Sequence, residues 1–178
     1  MHDFQESLSA SHRASDLPIW EEVYRSAFPS FCAMVDHRED GEHQRAGIDR
    51  SVVLQNSKQI LIDEKIRWKP YDDIALEYLS NDRTGAPGWV CKPLRADYIA
   101  YAIAPLGRCY LLPVVQLQIA WSRKGEMWKA TCPHIKAKNY NYTTHSVGVK
   151  PSELFPAIGS AFRVTFTPLE SLKEASYA

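Results

Sequence analysis

Apolar residues along the chain recur first at helical and then at strand spacing. Ile19, Trp20, Val23, Tyr24, Ala27 and Phe28 keep the helical period until Pro29 ends it, which predicts an amphipathic helix. Asp16 suits its cap and Pro18 its first turn. Phe31 to Val35 reads as a first strand, followed by a turn at Glu39-Asp40-Gly41. Strands are expected near 44–54 and 58–67, joined as a hairpin through Gln55-Asn56-Ser57. Pro70 breaks that run, and Ile74 to Leu79 forms another strand before the polar loop 81–88. Trp89-Val90-Cys91 suits a short helical turn, and two strands follow at 97–104 and 108–112. Pro113 starts a helix with Val114, Leu117, Ala120 and Trp121 on one face, and past Gly125 the pattern weakens. A strand at 140–149, a short helix at 151–155 and a last strand at 162–166 complete the expectation. Residues 1–15 read as a flexible arm and 16–178 as one α/β domain, a central mixed, mostly antiparallel sheet flanked by helices.

One strand breaks the pattern. Ile60, Leu61, Ile62 and Ile66 have the β-branched, apolar content of a sheet interior, yet Asp63, Glu64 and Lys65 sit among them. Burying those charges costs several kcal/mol, roughly, unless a partner charge or a metal ion compensates. Alternation sends Asp63 and Lys65 to one face and Glu64 to the other. Asp49, on the preceding strand-like run, can lie next to Asp63 if the two strands pair. Two adjacent carboxylates repel unless a cation sits between them. Magnesium meets that need with one or two carboxylates, waters and a substrate phosphate, and Lys65 can orient the attacking water or offset charge on the phosphate.

These residues resemble the PD-(D/E)XK nuclease superfamily, whose pattern is an acid after an apolar residue, a variable spacer, then acid-any-lysine on the adjoining strand. Here Ile48-Asp49, the spacer 50–62 and Asp63-Glu64-Lys65 carry it, with Ile48 replacing the proline. The order helix, strands, motif strands and further strand is similar to that restriction-endonuclease-like fold over about residues 16–122. The loop Pro87-Gly88-Trp89 leading to Ala96-Asp97-Tyr98-Ile99 resembles small phage-borne or resolvase-like members. The resemblance implies a Mg²⁺-dependent DNA endonuclease, with Mn²⁺ as a substitute, that holds its metal on Asp49 and Asp63 and uses Lys65 beside the water. Glu77 is either a third acid or a partner of Arg67 or Lys65. Glu22 on the first helix could supply the helix-borne acid many such nucleases use, or lie on that helix's polar face. Arg67, Lys69, Lys92 and Arg95 are candidates for flanking phosphates. His43 and Gln44 either approach the phosphate or face solvent on a hairpin, and Trp89 and Tyr98 either stack on an unpaired base or pack in the core.

Composition narrows the alternatives. At 178 residues and 20.3 kDa, with 45% hydrophobic and 24% charged residues, the chain suits one folded domain. The N-terminus lacks the pattern of a secretory leader and no run is long enough for a membrane span. Cys32, Cys91, Cys109 and Cys132 are scattered as in a reduced, cytoplasmic protein. Cys132-Pro133-His134 has no second ligand pair, so zinc is not expected. Net charge is zero, but 121–150 gathers Arg123, Lys124, Lys129, Lys136, Lys138 and Lys150 against Glu126. That segment is either a phosphate-binding face or an ordinary solvated one. The leading reading, the one the resemblance implies, is a DNA endonuclease, with a homodimer as an option, and the second is a non-catalytic module that binds nucleic acid or protein.

Overall fold

The structure, a computed structural model, describes residues 17–169; the expected arm at 1–15 and the Asp16 cap lie outside them. Among these residues the elements are α1 (Ile19–Ala27), β1 (Phe31–Asp36), α2 (Gly41–Arg45), β2 (Arg50–Leu54), β3 (Gln59–Arg67), β4 (Ile74–Asn81) and β5 (Ala86–Pro87). They continue as β6 (Tyr98–Ile103), β7 (Arg108–Pro113), α3 (Val114–Thr131), β8 (His134–Lys138), β9 (Thr143–Val149), α4 (Pro151–Ile158) and β10 (Phe162–Thr165). The mixed α/β class is as expected.

The strands form two sheets rather than one. Six lie in the order β1-β2-β3-β6-β7-β10 and four in the order β5-β4-β9-β8. In the larger sheet β3 and β6 run parallel, and the other neighbours pair antiparallel. The chain leaves that sheet at Pro70, and β4 pairs with β9 instead of returning to β3. On its side toward the larger sheet, the Ala75 N–H donates to the Tyr101 hydroxyl, 3.0 Å away, so a side chain takes a place that a strand neighbour would fill.

Each face of the larger sheet has its own core. Ile62, Ala100, Ala102 and Leu111 pack under Trp20, Val23 and Tyr24 of α1. Ile99, Tyr101 and Leu112 pack against Leu117 and Trp128 of α3, Leu154 of α4, and Leu76 and Val147 of the smaller sheet. Alternation along β6 sends Ile99 and Tyr101 one way and Ala100 and Ala102 the other. The Asp63 face of β3 therefore looks toward the smaller sheet, and the Glu64 face toward α1.

Two local expectations change. The expected strand near 44–54 begins only at Arg50, because Gly41–Arg45 is helical. The Asp40 side chain accepts from the N–H groups of Glu42 and His43, capping that turn. Gly47 then takes a φ of +69°, open to glycine at little cost, and turns the chain into Ile48-Asp49. Past Gly125 the helix runs on to Thr131, and β8 follows at His134.

Candidate active site

Asp63 and Asp49 are brought together by the β2–β3 hairpin. Arg50 stands opposite Ile62 in the ladder, so Asp49, one residue earlier, lies beside the Asp63–Glu64 step. The Glu64 N–H donates to Asp49 Oδ2 at 2.8 Å, and the Asp49 N–H donates to the Ile62 carbonyl at 2.9 Å. The Asp49 side chain thus holds a backbone group of the very strand that bears Asp63. Lys65 Nζ donates to Asp63 Oδ1. Asp63 is 4% exposed, and burial pushes its carboxyl up to about 6. Lys65 opposes that rise, and the neighbouring Asp49 carboxylate adds to it. The Lys65 ammonium is held above its ordinary value against the cost of burial by Asp63, by Asp49 and, more weakly, by Glu77.

Glu77 enters this cluster from the smaller sheet. Its backbone is gripped by the loop ahead of β6: the Val90 N–H donates to its carbonyl at 3.1 Å. A Cβ on Gly88 would lie 2.2 Å from the same carbonyl oxygen, so only glycine fits there. The four residues expected to act together, Asp49, Asp63, Lys65 and Glu77, are therefore one electrostatic group.

Glu22 is exposed on α1, the helix that packs on the Glu64 face of β3, which is the polar-face alternative of the two readings. The acid that does meet α1 is Glu64, 8% exposed. Arg50 Nε donates to Glu64 Oε1 at 2.6 Å and Nη2 to Oε2 at 3.3 Å, while the Tyr24 hydroxyl donates to Oε1 at 2.7 Å. Arg50 also lies 3.8 Å from Asp36 Oδ2. Sequence reasoning placed Glu64 on this face but missed both its partners; the signal was a lone arginine opening a strand of Ser51-Val52-Val53-Leu54.

The expected phosphate contacts divide. Arg67 pairs with Asp73 and lies over the Tyr71 ring, 4.7 Å from its centroid. Lys69 is exposed just past β3. Arg95 is exposed, its backbone N–H bonded to the Ala46 carbonyl at 2.9 Å. Lys92 sits in the loop against α3, its carbonyl accepting from Gln118. Trp89 is buried in the core and Tyr98 packs on Phe28 and Phe162, so core packing is their role. His43 and Gln44 lie on α2 rather than on a strand. Asp97, not counted as a ligand, accepts from the Leu61 N–H at 2.8 Å and steadies β3 just ahead of Asp63.

No protein-family model, curated protein or solved structure matches this chain. Among the described residues no helix is long and apolar enough to cross a membrane, and no group of three or more His, Cys, Asp or Glu side chains is arranged to hold a metal ion.

Proposed function

We propose that this chain is a metal-dependent DNA endonuclease with a PD-(D/E)XK-type site on a restriction-endonuclease-like fold. The observation that carries the reading is the meeting of Asp49, just ahead of β2, with Asp63 on β3, and the Lys65 ammonium against Asp63. Helix α1, β1, the antiparallel motif pair β2–β3 and then β6 beside β3 also follow the order the resemblance implies.

The donor set fits magnesium. Three carboxylates, counting Glu77, act on one ammonium, which leaves the cluster short of positive charge. Its oxygens are the hard ligands that Mg²⁺ or Mn²⁺ takes, with waters and phosphate supplying the rest of the shell. Bound there, the ion would polarise a phosphate oxygen and make water a better nucleophile near neutral pH. Asp49 and Asp63 would hold it, and Asp63 must give up its proton to do so. Lys65 is placed to orient the attacking water or to balance charge that builds on the phosphate. Glu77 acts on Lys65 through charge from the opposite sheet.

The direct Lys65–Asp63 contact favours a second reading, because it partly neutralises the cluster with no ion at all. A non-catalytic module that binds nucleic acid or protein would keep that contact permanently. Purified protein with Mg²⁺ or Mn²⁺ should cut DNA, and Asp63→Ala or Lys65→Ala should lower the rate at least about a hundredfold with circular dichroism unchanged. Cleavage by both variants at the wild-type rate would end the nuclease reading. Retention of DNA with no heat of Mn²⁺ binding would replace it with the module.

A further inference from the structure

The face of β3 that carries the candidate site continues past it in both directions. Residues of one parity share a face, so Gln59, Leu61, Asp63, Lys65 and Arg67 stand in one row. At one end Gln59 and Leu61 line a groove of about 290 Å³ with Ile48, His43 and Arg95. At the other end Arg67 lines a groove of about 440 Å³ with Lys69, Tyr71 and His134. Asp63 and Lys65 lie between. Leu61 and Arg67 are six residues apart, about 20 Å at strand rise, a span that covers several nucleotides.

The chemistry of the two ends differs from that of the centre. The acids gather at Asp49, Asp63 and Glu77, whereas both grooves offer cations. Each groove also includes one acid, Glu42 in the first and Asp73 in the second, and Asp73 is already paired with Arg67. The second groove adds a stacking surface: Tyr71 is 51% exposed, with the Arg67 guanidinium against its ring. An aromatic ring beside cations is how proteins seat the unpaired bases of a single strand. Both grooves, about 290 and 440 Å³, are of the size that takes a nucleoside.

We infer that the substrate strand lies along β3 as unpaired DNA, its scissile phosphate over Asp63 and its flanking nucleotides in the two grooves. Tyr71 stacks a base on one side, and Arg95 holds a phosphate on the other. The position of the scissile phosphate rests on the nuclease reading; the strand path does not need cleavage to be tested.

Fluorescence anisotropy in EDTA, with a labelled oligothymidylate and a duplex of equal length, reads the path directly. The single strand should bind tighter than the duplex. Tyr71→Ala and Arg95→Ala should each weaken it about tenfold, their effects multiplying in the double variant, while Tyr71→Phe keeps wild-type affinity. Circular dichroism confirms that the variants fold. Tighter binding of duplex, or unchanged affinity in both alanine variants, overturns the inference even if the wild type cleaves DNA. Weakened binding in both variants sustains it even if Asp63→Ala and Lys65→Ala both leave cleavage untouched, an outcome that would sink only the nuclease reading.

Discussion

On the α1 side of β3, Glu64 meets a guanidinium and a phenol, and on the other side Asp63 meets an ammonium and a second carboxylate. Both acids are buried on the same strand, one residue apart, and both are pushed upward by burial. Around Glu64 that rise is opposed by Arg50 and by Tyr24, and Asp49 adds to it more weakly through charge. Around Asp63 it is opposed by Lys65 and reinforced by Asp49. Desolvation is common to both faces, so it does not mark function. What separates them is whether the neighbours complete the charge: the Glu64 side reads as a closed structural pair, the Asp63 side as a cluster that still wants a cation. Structure and proposed chemistry are coupled through one bond, because the Glu64 N–H holds the Asp49 carboxylate.

Arg50→Met should break the comparison hardest. Removing one partner of a buried ion pair costs about 3–5 kcal/mol, to be read from urea melts. The double change Arg50→Met with Glu64→Leu should recover most of that loss, since an apolar pair can replace a buried ionic one. Wild-type stability in the single variant would mean that the pair is not closed as described.

Tyr24→Phe removes only the phenol hydroxyl and should cost about 1.5–3 kcal/mol, the range for a hydrogen bond to a charged group. An unchanged melt would place the whole burden of Glu64 on Arg50.

Of the same order is the pH effect at Asp63. Its folded-state value lies above the ordinary 3.8, at about 6. Between those values the folded chain holds more protons than the unfolded one, so this group's contribution to stability is lost as pH rises through the window. Asp63→Asn has no such titration. The melting temperature of the variant should therefore gain on the wild type from pH 4 to pH 7, and a constant gap would show that Asp63 is not raised.

The strands were largely legible because β-branched and aromatic residues cluster in short runs bounded by Pro and Gly, as at 58–67 and 97–104. α2 was hidden, since none of its residues is buried and it therefore has no apolar period to read. β8 carried a readable alternation, His134-Ile135-Lys136-Ala137-Lys138, but four of its five residues are exposed, so only Ile135 signals a packed face. Glu22 was a plausible acid by its place on the first helix, yet which face of a sheet a helix covers is not written in the helix itself.

Local sequence determined that Asp63 and Lys65 share a face and that Glu64 opposes them, because strand alternation needs no distant partner. It also determined the hairpin that sets Asp49 beside Asp63. Tertiary structure decided the rest: that Glu64 closes on Arg50 and Tyr24, that the charge of Glu77 acts on Lys65 from a second sheet, and that grooves continue the row at both ends. Those contacts join residues 14 to 40 positions apart or elements of different sheets. Only packing of the whole chain brings such groups into one low-dielectric space, where their charges act on each other.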